Sequence, residues 1–245
     1  MTHDQVPILA AGVLVVAFLY SSVGHAGASG YIAVMSLAGL APAEIRPAAL
    51  VLNILVASLS TYQFWRAGHF SWRLFWPFAV LSVPLAFVGG AVSLPTRAFK
   101  MLVGAVLLFS AWRLVIETRS DGETHAPRRP VALLTGGGLG LLSGLTGTGG
   151  GIFLTPLLLL MHWARTKNAA AVSALFILLN SIAGLAGNLS ATRSLPGLVW
   201  PLLGAAFAGG AAGSYLGSRR LSHTAIKRLL AVVLVIAGAK LIAAP

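Results

Sequence analysis

Apolar stretches follow one another along this chain with little between them. Five, at residues 7–22, 30–40, 48–65, 74–94 and 99–116, precede one long polar connector. Five more follow at 131–142, 151–163, 169–189, 198–217 and 226–244. Within each the apolar residues run continuously and do not alternate with polar ones, so the period is not that of a barrel strand. Several approach the roughly 20 residues that cross a bilayer as a helix. The pattern predicts an all-α, polytopic helical membrane protein. The connector ETRSDGETHAPRRP (117–130) is charged, contains two prolines and has no apolar period, and reads as a loop.

The two halves resemble each other. Setting Gly30 against Gly151 brings Arg46 onto Lys167 and aligns the alanine-rich start of each third stretch. Setting Leu94 against Leu221 pairs Ala98 with Ala225 and Lys100 with Lys227, the extra residues falling near 188–196. The expected organisation is a first repeat over 1–117, a cytoplasmic connector over 118–130 and a second repeat over 131–245. An ordered internal repeat is a transporter signature.

The second stretch is short. Ten residues from Tyr31 to Leu40 make about 15 Å of helix, half a bilayer. If the first two stretches form one broken span, the Lys and Arg residues divide 8 against 9 between the faces, which sets no orientation. If they form a hairpin, 12 share one face (Arg66, Arg73 and Lys167 among them) while Arg46, Arg97, Lys100, Arg193 and Lys240 oppose them. That asymmetry is what the positive-inside rule expects. The hairpin is therefore the preferred arrangement. It makes the repeats inverted, puts both termini on the non-cytoplasmic side, and lets the two glycine hairpins meet near the midplane.

Composition agrees with the pattern. The chain is 57% hydrophobic and 9% charged, with a mean hydropathy of +0.88, whereas a soluble domain carries roughly a quarter charged residues. The net charge of +12 does not indicate nucleic acid, because the basic residues sit between or at the ends of apolar runs. There is no cysteine, which excludes disulfides, thiolate metal sites and thiol nucleophiles. The first apolar run follows MTHDQVP, without a basic leader, and reads as a retained helix.

The acids narrow the chemistry further. Asp4, Glu44, Glu117, Asp121 and Glu123 are the only ones, and all lie in a terminus, a loop or a helix end. Intramembrane aspartate proteases and metalloproteases need buried acids, so neither fits. A cation antiporter working through an embedded carboxylate relay is disfavoured too. No enzyme activity, metal or cofactor is expected.

What remains is glycine and a few polar side chains. Gly144, Gly147, Gly149, Gly150 and Gly151 lie within eight residues, ahead of a short helix and beside Thr146, Thr148 and Thr155. Gly24, Gly27 and Gly30 are the earlier counterpart. Glycine lets backbone N–H groups approach a ligand, and the following helix start adds free N–H donors and a positive dipole end. At midplane depth this is an anion site needing no arginine. Close helix packing is the competing reading, and the preferred one for Gly89, Gly90, Gly209, Gly210 and Gly213. His25, the one histidine near a predicted midplane, could bind an anion, pass a proton or simply bond a carbonyl. Asn53 and Asn180, with Ser58, Ser173 and Ser181 nearby, either bond between helices or line a wet cavity. The aromatics Phe64, Trp65, Phe70, Trp72, Phe75 and Trp76 bracket a loop and read as an interfacial belt.

LLSGLTGTGGGIFLTPLLLL, NAAAVSALFILLNSIAGLAGNL and GSYLGSRRLSHTAIKRLLAVVLVIAGAKLI together resemble the sulfite exporter TauE/SafE family of permeases. SSVGHAGASGYIAV, RPAALVLNIL and LPTRAFKMLVGAVLLFSAWRLV look like that family's divergent first repeat. The resemblance implies an inner-membrane transporter of sulfite, sulfonates such as sulfoacetate, or related organic anions. Its motif falls on Gly147, Gly149, Gly150, Gly151, Pro156 and Asn180, while His25, Ala26, Ala28 and Ser29 depart from the glycine pattern in the first repeat.

The expected site is thus backbone N–H groups of Thr148, Gly149, Gly150 and Gly151 and of Ala28, Ser29 and Gly30, with His25, Ser29, Thr146 and Asn180 as side-chain donors and Gly147 in the turn. The expected partners are a small anion and membrane lipid, with a coupled proton or ion and homo-oligomerisation left open. A membrane scaffold without a transported substrate is the alternative.

Overall fold

The computed structural model describes residues 5–92, 95–116, 123–192 and 195–219, together with 235, 236, 238, 239 and 242. Nearly all of the tenth apolar stretch, and with it the pairing of Leu94, Ala98 and Lys100 with Leu221, Ala225 and Lys227, lies outside them. Among the described residues there are nine helices. They are α1 (Gln5–Ser22), α2 (Ala28–Leu37), α3 (Pro42–Arg66), α4 (Trp72–Ala91), α5 (Thr96–Ile116), α6 (Arg129–Thr146), α7 (Gly151–Leu160), α8 (Thr166–Thr192) and α9 (Val199–Arg219). Helices α3, α4 and α8 are long and apolar enough to cross a membrane, and α1 and α2 are shorter apolar helices.

The third helix starts six residues before its apolar stretch does. Pro42 occupies the first turn, where its missing N–H costs nothing, and Glu44 Oε2 accepts from the Ala41 N–H at 3.3 Å. The seventh element stops early, at Leu160, and His162 turns the chain with φ 53°.

The contacts fix the helix directions. Side chains at Gly12 and Gly30 would meet Val34 and Val16, so α2 folds back along α1 as a hairpin, not as the second half of a broken span. Phe64 packs with Ala170, and Asn53 bonds Ser181, so α3 and α8 run antiparallel. Gly136, Gly140 and Gly144 of α6 step along the carbonyls of Phe78, Ser82 and Ala86 of α4, which makes those two parallel. Gly209, Gly213 and Gly217 of α9 step in the same way along Leu14, Phe18 and Ser22 of α1. Each first helix and each third helix thus opposes its counterpart in the other half, and the repeats are inverted.

At these six glycines any Cβ would overlap a backbone carbonyl of the neighbouring helix. Backbone-to-backbone approach of this kind is how small residues pack helices in a bilayer, where lipid tails remove the hydrophobic drive. Gly89 and Gly90 likewise abut the carbonyls of Leu141 and Gly184, and Gly210 abuts Val56. Packing is what these positions do. The aromatic group shares edge and stacked contacts around the α3–α4 loop; Trp65, Trp72 and Trp76 are exposed, whereas Phe64 and Phe75 are core.

Candidate functional site

The two glycine turns touch. Gly147, Gly149 and Gly150, with φ of 75°, 76° and 77°, carry the chain from α6 into α7. Gly24 and Gly27, at 80° and 103°, do the same between α1 and α2. Only glycine takes these angles without steric cost. Helices α2 and α7 therefore both begin on a left-handed glycine, Gly27 and Gly150, with no side chain capping the first turn. The first N–H groups of such a helix have no carbonyl within it and form its positive end.

His25 crosses from the first turn to the second. Its Nε2 lies 2.9 Å from Thr155 Oγ1 and 3.2 Å from the Gly151 carbonyl. Thr155 Oγ1 donates its own proton to Ser173 Oγ at 2.7 Å, so toward His25 it accepts. With acceptors on both sides, Nε2 carries the imidazole proton. Tyr20 stands edge-on to the ring at 6.5 Å and accepts from Ser29 Oγ at 2.9 Å. Ser29 and Gly30 thus turn toward α1, where a Cβ at Gly30 would meet Val16 and Tyr20. Ala28 is buried beside them.

Buried polar atoms gather around the second turn. Asn53 Nδ2 donates to the Thr148 carbonyl and to Ser181 Oγ, both at 3.3 Å. Asn180 Oδ1 accepts from Ser82 Oγ at 2.8 Å. Thr146 Oγ1 donates to the Leu142 carbonyl at 2.7 Å and lies 2.8 Å from Thr148 Oγ1. Three atoms are left over: Asn53 Oδ1, Asn180 Nδ2 and Ser143 Oγ are buried without a partner. Their residues are fully enclosed, and Ser143 stands against Gly150. Each orphan costs on the order of 1–3 kcal/mol. Retained orphans beside a left-handed glycine turn mark a place where water or a ligand completes the bonding.

Arg46 is the residue that counting charges by face misplaces. It is 5% exposed, not a surface charge. Its Nη1 donates to the Val92 carbonyl at 2.8 Å, and its Nη2 to those of Gly90 and Gly144 at 2.7 Å and to that of Gly89. A full positive charge thereby sits on the negative ends of α4 and α6, the favourable placement for a cation. Its Cγ lies where a side chain at Gly147 would go, so the charge adjoins the turn. Its Nε is buried without a partner. The aligned Lys167 at the start of α8 makes the corresponding but looser contact, Nζ to the Ser218 carbonyl at 3.5 Å near the end of α9.

Of the expected residues, the structure brings together His25, Gly147, Thr148, Gly149, Gly150 and Gly151, with Thr146 and Asn180 flanking. Ser29 and Gly30 serve their own hairpin. Arg46, Ser82 and Ser143 lie with these groups and were not among the expected residues, although the pairing of Arg46 with Lys167 was visible in the repeat.

Two inverted halves of helices, meeting at buried glycine turns with unsatisfied polar atoms, define a polytopic membrane transporter. The chain belongs to the sulfite exporter TauE/SafE family, whose profile, described as "Sulfite exporter TauE/SafE", matches residues 8–241. It is similar to a protein of Sinorhizobium fredii (strain NBRC 101917 / NGR234) described as "Probable membrane transporter protein y4hK". The two are 41% identical over 240 residues, covering 96% of this chain and 97% of that protein. No solved structure matches.

Proposed function

We propose that this protein is a permease of the bacterial inner membrane for a small oxyanion, with a sulfur oxyanion or organosulfonate such as sulfite or sulfoacetate as the substrate class. The observation that carries the reading is the pair of uncapped, glycine-started helices, α2 and α7, joined by His25, with the orphaned Ser143 Oγ at the start of α7 and Asn180 Nδ2 on the neighbouring α8. Helix starts, an amide donor and a hydroxyl suit an oxyanion, and the nearby Arg46 supplies a compensating charge. The absence of any acid from the apolar stretches removes the group that would repel it.

Transport proceeds by rocking one inverted half against the other, with no covalent step. An anion leaves a negative-inside cell downhill, by about 2.3 kcal/mol per charge per 100 mV, which favours export. Both termini lie on the non-cytoplasmic side in this reading. Counterflow in proteoliposomes tests it, with labelled sulfite, sulfoacetate, thiosulfate, sulfate and acetate offered in turn. Saturable exchange of a sulfur anion that Gly149→Ala abolishes supports the assignment. Exchange of none of them, by protein whose fold is verified, sinks it and favours a scaffold role.

A further inference from the structure

A cleft of about 470 Å³ opens at the starts of α4, α6 and α8, with the second glycine turn at the other end of α4 and α6. Its polar lining is Ser71, Arg73, Thr124, His125, Arg165 and Asn168. We propose that this cleft binds the phosphate group of an anionic ligand. An anionic glycerophospholipid headgroup and free phosphate share that chemistry.

Three independent features point the same way. First, the charge is of one sign: Arg73 and Arg165 line the cleft, and Arg128 and Arg129 follow the lining residue Pro127 directly. Glu123 precedes Thr124 in the chain but is not part of the lining. Second, α4 and α6 run parallel, and α8 runs with them, since Ser82 bonds Asn180 and Ala86 approaches Gly184 one turn later. All three present their first turns here: Ser71 is the N-cap of α4, Arg128 that of α6, and Arg165 precedes α8. Three positive helix ends add to the two guanidinium groups. Third, the setting is interfacial. Trp163 is in the wall, and the exposed Trp72 and Trp76 start α4 beside Arg73. Indole rings favour headgroup depth, and basic pockets between helix ends hold anionic headgroups.

None of the cleft's lining residues belongs to a glycine turn. His69, whose carbonyl accepts from Asn168 Nδ2 at 2.9 Å, ties its floor to the α3–α4 loop. Occupancy would therefore clamp that loop to the start of α8.

The test uses the purified full chain in neutral detergent. Thermal unfolding is followed while phosphatidylglycerol, phosphatidylcholine or inorganic phosphate is titrated in, with Arg73→Gln/Arg165→Gln compared against Arg97→Gln as a distant arginine control. Phosphatidylglycerol is expected to raise Tm where phosphatidylcholine does not, with an apparent affinity about tenfold weaker in the double variant and unchanged in the control. The shift should also shrink as salt rises. If inorganic phosphate reproduces the arginine-dependent shift, the site takes the free anion; if only the lipid does, the headgroup is the ligand. Equal shifts with both lipids and none with phosphate overturn the proposal, as does a phosphatidylglycerol shift indifferent to the double substitution. Should the double variant fail to fold, the salt series on the unaltered chain decides, and a salt-independent shift overturns it.

Discussion

The two hairpins have the same outline and opposite habits. The first leans on itself as well as on α3: α2 lies back along α1, Ser29 bonds Tyr20, and Tyr31 Oη donates to the Ala26 carbonyl at 2.7 Å. The second leans outward: α7 packs on α8 through Gly151 against Ile177 and Thr155 bonded to Ser173. Its turn is consequently left facing Asn53 and Ser181, groups on other helices, and Ser143 of its own first arm. One hairpin bonds most of its own polar atoms, Ser36 Oγ excepted, and contributes a side chain, His25. The other contributes backbone, and beside its turn Ser143 Oγ and, on α3 and α8, Asn53 Oδ1 and Asn180 Nδ2 are unsettled. Inverted repeats make the same fold twice, and here the two turns differ in what they face.

The sharpest way to break the contrast is at Gly149. A methyl group there meets Asn53 Nδ2 and Ile177 Cγ2 at 2.7 Å, with φ at 76°. Gly149→Ala is expected to lower substrate counterflow at least ~30-fold, since strain and overlap together cost about 2 kcal/mol or more. Gly39→Ala shares the left-handed angle (φ 80°) with nothing within 4 Å, so it should cost only the ~1 kcal/mol of backbone strain and leave transport intact.

Next come the two aligned cations. Arg46→Gln strips charge-assisted bonds from four carbonyls at the ends of α4 and α6. A stability loss of roughly 3 kcal/mol, read from denaturant midpoints, is expected. Lys167→Gln removes one 3.5 Å contact and should change stability by less than about 1 kcal/mol. Equal losses would show that the two ends are built alike.

A smaller effect tests the bridge between the hairpins. A double-mutant cycle of His25→Ala and Thr155→Val should return a coupling of about 1 kcal/mol in unfolding free energy. Additivity would mean that the imidazole does not hold the second hairpin.

The smallest effect lies at the loop between α3 and α4. Burial and then the charge of Lys167 push the imidazole of His69 below its ordinary range near 6.5. Removing that charge by Lys167→Gln should raise it, so His69 becomes protonated at a higher pH in a histidine-resolved NMR titration. An unmoved titration would place the two side chains out of electrical contact.

Much of this was legible in the chain. Continuous apolar runs show the helices, and the ten-residue stretch after the first glycine run shows the hairpin, because half a bilayer is too short to span. Repeat alignment put Arg46 opposite Lys167, which share a place in the fold. It could not show that Arg46 is buried, because its partners are backbone carbonyls and carbonyls have no letter in a sequence. The same blindness hid Ser82 and Ser143, ordinary serines in glycine-rich helices until another helix presses on them. The apolar run does not reach the start of α3, because Pro42 and Glu44 signal a helix start without belonging to that run.

The exchanged pairing of α1 with α9, and of α6 with α4, has a consequence for how the protein is made. Ser22 ends the first helix and Val199 begins its partner, 177 positions later in the chain. At about 5–20 residues per second, translation leaves α1 without α9 for roughly 10–35 seconds. Through that interval the ledge of Leu14, Phe18 and Ser22 carbonyls, shaped to fit bare glycine backbone, must rest against lipid or an insertion chaperone. A ribosome stalled after α8 would release a chain whose first helix is still waiting for its seat.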